Sequence, residues 1–266
     1  MSALQVLLST MNMENAVELC EKMNLNSDTL IINQCDHENY ESFFIKNHEV
    51  KCYSFNERGL SISRNRALVR ATGDIICLAD DDVKYTETYA EDILAEYERH
   101  PEADGIVFNV DWVNGVRTSN IINSFGKVGK GESRKYSSVR ITFKRDKVLK
   151  HNLSFDTMFG SGAYYKCGED TIFLKHFLDC GLKLYKSPVK IGETDTSEST
   201  WFTGFNEKFF FDRGAIAGAT YPKMSRILIL AQAFRNSKRR LGSYKHFFKM
   251  YGWYKSGLKD FKERSK

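Results

Sequence analysis

The 266-residue sequence lacks the features that mark membrane-spanning, secreted and zinc-binding proteins. No run approaches the roughly 18 apolar residues that a transmembrane helix needs. The start, MSALQVLLSTMNMENA, has no basic segment and no small-residue cleavage site, so it does not resemble a secretory leader. The six cysteines are scattered, with no CxxC pair and no Cys/His set at zinc spacing. These absences predict a cytoplasmic protein with reduced, structural thiols.

Charge is distributed unevenly along the chain. Residues 222–266 contain 13 Lys and Arg and 2 acidic residues, a net charge of +11. The whole chain carries +5, which leaves −6 for residues 1–221. A basic segment attached to an acidic body predicts an anionic partner for that segment, either nucleic acid or a membrane surface.

Short apolar runs alternate with amphipathic runs over the first 110 residues. The apolar runs predict strands and the amphipathic runs predict helices. This alternation is typical of an α/β fold whose mostly parallel sheet is covered by helices on both faces. The predicted strands are LQVLLST (4–10), TLIINQ (29–34), VKCYSF (50–55), DIICLA (74–79) and GIVFNV (105–110), and the predicted helices are ENAVELCEKM (14–23), SISRNRALVRA (61–71) and YTETYAEDILAEYERH (85–100).

The pattern loosens after residue 111. Residues 112–137 contain four glycines and predict a loop or lid. VRITF (139–143) and KLYKSPVKI (183–191) predict strands, and TIFLKHFLDCG (171–181) predicts a helix. The aromatic and basic segment 206–266 predicts a helical tail.

Three consecutive aspartates, Asp80, Asp81 and Asp82, follow the predicted strand DIICLA. One interpretation is a solvated turn in which Asp82 caps the next helix. The other is a divalent-cation site, because Mg²⁺ and Mn²⁺ take oxygen ligands and keep open positions for substrate phosphates. Ligands of parallel sheets bind outside the carboxyl ends of the strands, where this triplet lies.

Arg64 lies near the start of a predicted helix, where the macrodipole disfavours cations. An anion bound at that helix terminus would explain why an arginine occupies this position. The sequence alone favours an ordinary surface arginine, or an ion pair with the aspartates, over such an anion.

Three segments in order resemble the family 2 glycosyltransferases. GLSISRNRALVRATGDIICLADDDV resembles the family's Gly/Ser loop, Arg-Asn, apolar strand and D-x-D. VLLSTMN resembles its first strand end, with Ser9 in place of Pro, and FGSGAYYKCGEDTIFLKHFLDCGLKLY is similar to its Gly-Glu-Asp acceptor helix. The resemblance implies a GT-A fold over residues 1–205, with a nucleotide-sugar half (about 1–110) and an acceptor half (about 111–205).

The resemblance also implies roles for individual residues. Thr10 and Arg64 would lie against the nucleotide base. Asp80, with Asp81 beside it, would reach the ribose of the nucleotide sugar. Asp82, supported by Asp80, would hold Mn²⁺ or Mg²⁺ on the diphosphate.

The acceptor side of the implied site is the pair Glu169 and Asp170. Asp170 would be the general base that deprotonates the acceptor hydroxyl, and Glu169 would orient that base or bind acceptor. Capping of the following helix is the structural alternative for both acids.

Two positions depart from the family pattern. The Asp pair that usually follows the second strand is replaced by Gln34 and Cys35, so Gln34 becomes the candidate for pairing with a uracil edge. The late His ligand is absent from SPVKIGETDTSESTWF, so Glu193, Asp195 or water would complete the metal site.

The tail places Leu241, Tyr244, Phe248, Tyr251 and Leu258 at heptad-like spacing among lysines. A basic amphipathic helix with aromatic residues is typical of membrane-surface binding. The same pattern fits a helix packed on the body with a solvated cationic face. Single-stranded nucleic acid is the least favoured partner, because no recognition motif accompanies the tail.

The resemblance implies an inverting glycosyltransferase that uses a nucleoside-diphosphate sugar, with UDP favoured. Together with the basic tail, it implies a glycan or lipid-linked acceptor in surface polysaccharide synthesis. We expect it at the inner face of the plasma membrane, held there by the tail, with no nucleic-acid partner. Two other functions stay open: a catalytically silent member that binds nucleotide sugar or acts as a scaffold, and a nucleic-acid binder that acts through its tail.

Overall fold

The computed structural model describes residues 2–114, 120–195 and 204–266. These residues form an α/β domain that is followed by three C-terminal helices. The strands are β1 (Leu4–Met11), β2 (Asp28–Gln34), β3 (Asn39–Ile45), β4 (His48–Phe55), β5 (Ile75–Asp80), β6 (Val83–Tyr85), β7 (Gly105–Val113), β8 (Gly126–Lys127), β9 (Ile141–Lys144) and β10 (Leu184–Asp195). The α-helices are α1 (Ala16–Lys22), α2 (Leu60–Leu68), α3 (Tyr89–Arg99), α4 (Arg145–Lys150), α5 (Glu169–Asp179), α6 (Glu207–Thr220), α7 (Ser225–Leu241) and α8 (Phe247–Arg264).

The strands form one mixed sheet in the order β3-β4-β2-β1-β5-β9-β7-β10-β6, and β8 pairs with β10. Strands β4, β2, β1 and β5 run parallel to one another, and β7 runs parallel to β10. Strand β9 is antiparallel to both of its neighbours, β5 and β7. The sheet therefore confirms the predicted mostly parallel architecture.

Side chains along the central strands alternate between two hydrophobic cores. In β5, Ile75, Cys77 and Ala79 pack in the core on one face, whereas Ile76 and Leu78 pack in the core on the other. Helices α1 and α3 contribute to the first core, and α2 and α5 contribute to the second. A strand buried on both faces reads as a continuous apolar run, which explains DIICLA.

The antiparallel edge strand β3 was not predicted from the sequence. Its side chains are mostly exposed, so NYESFFI carries no core-facing pattern. The turn that joins it to β4 uses Lys46 and Asn47 at positive φ (48° and 68°) without a glycine. Hairpin turns of this type usually contain glycine, so the sequence signal was weak here.

Helices α6, α7 and α8 form a helical extension with its own apolar core around Phe210, Ile229, Met250 and Tyr254. Helices α6 and α8 touch backbone to backbone, because a Cβ on Gly214 would overlap the carbonyl oxygen of Tyr254 and a Cβ on Gly257 would overlap that of Phe211. Two glycines that weaken isolated helices thus permit this packing.

Gly257→Ala is expected to destabilise the protein by roughly 3 kcal/mol, because overpacking forces α6 and α8 apart. Gly252→Ala in the same helix is the matched control, since nothing lies within 4 Å of its added Cβ. That control should raise stability by up to about 1 kcal/mol through helix propensity. Denaturant unfolding of both variants checks the pair, and equal effects would contradict the packing argument.

The extension also contacts the α/β domain. The Tyr165 hydroxyl donates to Asp260 Oδ2 over 2.7 Å, and the Lys166 backbone N–H donates to Asp212 Oδ2 over 3.1 Å. Ile216 of α6 packs with Phe159 in a further apolar cluster. Among the described residues, no helix is both long and apolar enough to cross a bilayer.

Candidate active site

The buried side chain of Arg64 lies at the centre of the candidate site. Its side chain is 2% exposed, and its guanidinium bonds Asp80 Oδ1 at 3.0 Å and Asp170 Oδ1 at 2.9 Å. It also donates to Ser138 Oγ at 2.6 Å and lies 3.7 Å from Glu169 Oε1. Burial opposes its charge, but the three carboxylates offset this effect and raise the pKa of Arg64.

Polar contacts hold helix α2 against the sheet so that Arg64 points inward. Gly59, at φ 132°, precedes the helix, and its N–H donates to Gln34 Oε1 over 2.6 Å. The Ser61 hydroxyl donates to the carbonyl of Phe159, and the Ser63 hydroxyl donates to Ser9 Oγ over 2.8 Å. The small polar residues of GLSISRN thus have a structural role on the buried face of the helix.

The three aspartates lie at and just beyond the end of β5, each in a different environment. Asp80 pairs with Arg64, and Asp81 Oδ2 accepts from the Thr10 hydroxyl over 2.5 Å. Asp82 keeps solvent access, but partial burial and the charges of Asp80 and Asp81 raise its pKa to about 6, against a hydrogen bond from Thr194. A cation bound at Asp82 would stabilise the charged form of its carboxylate.

Glu169 and Asp170 form the first turn of α5, which Gly168 precedes at φ 112°. Asp170 uses both oxygens, because Oδ1 accepts from Arg64 and Oδ2 accepts from the Ser138 N–H over 2.9 Å. Burial and the charge of Asp80 raise the pKa of Asp170, whereas Arg64 opposes the rise. Burial and the Asp170 charge raise the pKa of Glu169 to about 7.

The charge of this region is strongly negative. Five carboxylates lie in this region, those of Asp80, Asp81, Asp82, Glu169 and Asp170. Among the described residues, Arg64 is the one cation that forms ion pairs with any of them. Burial is the main cause of the raised pKa values of Asp82, Glu169 and Asp170, and the negative charge of neighbouring carboxylates adds to it. An oxygen-rich site with excess negative charge fits Mg²⁺ or Mn²⁺, which bind through one or two carboxylates plus substrate phosphates.

The other predicted site residues lie around this centre. Thr10 and Gln34 are buried at the ends of β1 and β2, and their side chains bond Asp81 and the Gly59 N–H. Glu193 lies in β10 within 3.5 Å of Lys190, and Asp195 at the end of that strand accepts from Asn114. Strand β10 pairs with β6, which starts immediately after Asp82, so this stretch runs beside the aspartates.

One group of three metal-binding side chains is preassembled within the described residues: Cys35, Asp36 and His37. Their ligand atoms lie within 4.8 Å of one another just after β2, where Cys35 is buried and Asp36 and His37 are exposed. The aspartate triplet does not form such a group, so its carboxylates do not converge on one point. A cation there would need ligands from a diphosphate or water.

Two residues of the site, Ser138 and Thr194, were not predicted from the sequence. Ser138 bonds both Arg64 and Asp170, and Thr194 bonds Asp82. Neither residue belongs to a recognisable motif. Each is brought to the site by a strand order that local sequence does not encode, through β9 for Ser138 and β10 for Thr194.

Comparison with known proteins decides the family. The sequence model of glycosyl transferase family 2 matches residues 16–166, more than half of the chain. The chain belongs to glycosyl transferase family 2. The match includes Arg64 and the aspartate triplet and ends just before Glu169 and Asp170. No curated protein sequence matches the chain.

Solved structures of S. aureus TarS are similar to this chain. TarS 1–349 in complex with UDP-GlcNAc matches with a TM-score of 0.66 and 16% identity, over 97% of this chain and 80% of that one. The complex of TarS 1–349 with UDP matches with a TM-score of 0.59 and 16% identity, over 88% and 72%. The chain spans 65% of another TarS 1–349 structure and 39% of a longer TarS chain. At this identity the likeness concerns the fold, and it confirms the predicted GT-A architecture.

Proposed function

We propose that this protein is an inverting glycosyltransferase that uses a UDP-sugar donor and a divalent cation. The observation that carries the proposal is the Arg64 centre, which links the aspartates after β5 to the acid pair at the start of α5. The Arg64 guanidinium thus joins Asp80, on the proposed donor side, to Asp170, the proposed base on the acceptor side.

The donor half of the proposal rests on the aspartates and their neighbours. Asp82 would hold Mn²⁺ or Mg²⁺ with support from Asp80, and the cation would stabilise the charge of the departing diphosphate. Asp81 and Thr10 would contact the nucleoside, with Asp80 near the ribose. Similarity to TarS structures that contain UDP-GlcNAc and UDP favours uridine as the base.

The acceptor half rests on Asp170. A sugar hydroxyl is a weak nucleophile, so a carboxylate must take its proton as the glycosidic bond forms. Hydrogen bonds from Arg64 and Ser138 orient Asp170, and its raised pKa strengthens it as a base. Glu169, less tightly bonded, would help to orient the acceptor.

We further propose a glycan or lipid-linked acceptor in surface polysaccharide synthesis, at the cytoplasmic face of the membrane. The basic tail supports this position, and a nucleic-acid partner is not expected. Intact acids at positions 80, 82 and 170 argue against a catalytically silent member, because a silent protein needs neither the metal ligand nor the base.

Calorimetric titration of UDP and of GDP, each with Mn²⁺ and with EDTA, tests the donor site. We expect UDP to bind in the presence of Mn²⁺, with at least about tenfold weaker binding in EDTA and in Asp82→Ala. Asp92→Ala, at a partly exposed acid in α3, is the matched control and should bind UDP as the wild type does.

Each outcome of this titration has a definite meaning. Tighter binding of GDP than of UDP would mean that the donor nucleotide carries guanine instead of uracil, and the proposed reaction class would stand. Failure of both nucleotides to bind in the presence of metal would overturn the donor site. The aspartates would then be a solvated turn.

A further inference from the structure

The outer face of helix α7 and the turn that follows it expose an unusual amount of apolar surface. The described residues expose fourteen large apolar side chains, and six of them lie between residues 224 and 248. We use the name tail surface for five of these side chains: Ile227, Leu230, Phe234, Tyr244 and Phe248.

These side chains are not part of the core of the helical extension. Ile229 and Ala233 on the opposite face of α7 are buried in that core, at 1% and 0% exposure. Ile227 and Phe248 are 67% and 81% exposed. Helix α7 is thus apolar on its inner face and along a stripe of its outer face, and a helix of this kind is normally covered on both sides.

The tail surface is continuous across the turn between α7 and α8. The rings of Phe234 and Tyr244 stack with centroids 4.8 Å apart, which joins the helix to the turn. The Lys238 ammonium lies 5.5 Å from the Tyr244 ring, so a cation borders the apolar stripe directly. At the start of α8, the Phe247 ring lies 6.1 Å from the Phe234 ring and 5.0 Å from the Phe248 ring, which joins Phe248 to the same surface. The five side chains therefore form one patch with a basic margin.

Charge identifies the kind of partner. Residues 222–259 contain ten Lys and Arg and no Asp or Glu. A second copy docked through the same patch would bring two such segments together and repel. Nucleic acid would neutralise the cations, but it offers no apolar interior for Ile227 and Leu230. An anionic bilayer offers both an apolar boundary and negative headgroups.

We infer that the tail surface docks on an anionic lipid bilayer, with its apolar side chains in the headgroup boundary and its lysines on the headgroup phosphates. This inference changes the surface that the heptad pattern predicted. Leu258 of that pattern is buried at 4% exposure, and Leu241 and Tyr251 pack against the core of the extension. Docking requires neither donor nor acceptor, so it can be tested apart from the proposed reaction.

Co-sedimentation with vesicles tests the inference. We expect the full chain to bind vesicles that contain phosphatidylglycerol much more strongly than vesicles of phosphatidylcholine alone. Raised salt should weaken the binding, because mobile ions screen the attraction between lysines and headgroups. Absence of binding to the anionic vesicles would overturn the inference.

The apolar contribution is tested by the double variant Ile227→Ser, Phe248→Ser. Both side chains are exposed, so folding should persist, and we expect anionic-vesicle binding to fall at least about tenfold. The matched control is Phe44→Ser, Val69→Ser, which removes side chains of similar exposure (73% and 74%) from the α/β domain. The control should bind vesicles as the wild type does, and equal losses in both variants would overturn the inference.

The electrostatic contribution is tested by changing Lys238, Lys245 and Lys249 to Gln. Each lysine near an anionic surface strengthens binding about fivefold, so we expect the triple variant to lose roughly 100-fold. The control changes three exposed lysines of the α/β domain, Lys22, Lys150 and Lys183, to Gln. Loss of affinity in the control alone would overturn the inference.

Two further measurements exclude the other occupants of the surface. Light scattering should give the same mass for the wild type and for Ile227→Ser, Phe248→Ser. A dimer that the variant dissociates would assign the surface to a second copy and overturn the inference. The second measurement adds a single-stranded oligonucleotide to protein bound on vesicles. If the oligonucleotide displaces the protein, and if its binding also depends on Ile227 and Phe248, the membrane inference is overturned in favour of nucleic acid.

Discussion

Asp170→Asn is expected to lower kcat about a thousandfold, because a correctly positioned general base contributes roughly 10²–10⁴ to the rate. Asparagine keeps the size of the side chain but cannot accept the proton of the acceptor hydroxyl. Binding of UDP with Mn²⁺ should change little, since Asp170 is assigned to the acceptor side. Steady-state transfer rates, with donor binding measured separately by calorimetry, check this prediction.

Two variants of helix α5 act as controls for that measurement. Asp179→Asn, at the other end of the helix, removes a carboxylate that pairs with Lys130 and Lys175, and it should leave kcat nearly unchanged. Glu169→Gln removes a carboxyl group that lies beside Asp170 and whose pKa is raised to about 7. Because this titrating group no longer acts on the proposed base, we expect the acid limb of the pH–rate profile to move to lower pH. If Glu169→Gln abolished transfer while Asp170→Asn retained it, Glu169 would be the base instead.

The central strands and their parallel arrangement could be expected from the sequence because these strands are buried on both faces. Runs such as DIICLA and TLIINQ are continuous apolar segments, and the helices between them make parallel neighbours the expected arrangement. The same reasoning located Asp80 at the carboxyl end of β5, where ligands of such sheets bind. The local sequence pattern is therefore sufficient to predict this part of the fold.

The rest of the site depends on contacts that are distant in sequence. Arg64 bonds Asp170 across 106 residues and Ser138 across 74, and no local pattern encodes either pairing. The sequence offered an ion pair with the aspartates as one of three explanations for Arg64, but it could not indicate that one guanidinium contacts carboxylates from both halves of the site. The close approach of α6 and α8 at Gly214 and Gly257 was invisible for the same reason.

Arg64→Met is expected to destabilise the protein by about 3–5 kcal/mol at pH 8, because removal of one partner leaves buried charge without compensation. The side chain is 2% exposed and contacts Asp80, Glu169 and Asp170. Arg66→Met in the same helix is the matched control, since the Arg66 side chain is 43% exposed and pairs with Glu57. Arg66→Met should lower the free energy of unfolding by no more than about 1 kcal/mol, as is usual for loss of an exposed ion pair. Denaturant unfolding at fixed pH measures both variants.

The pH dependence of that difference distinguishes lost charge compensation from lost packing. Arg64 lowers the pKa values of Glu169 and Asp170 in the folded protein, so its removal raises them further above their unfolded values. The folded variant then binds more protons than its unfolded chain, and its stability falls as pH rises. The gap between Arg64→Met and the wild type should therefore be smaller at pH 5 than at pH 8. A gap that stays constant over this range would mean that Arg64 stabilises the site by packing alone, and the electrostatic link between the donor aspartates and the base would be lost.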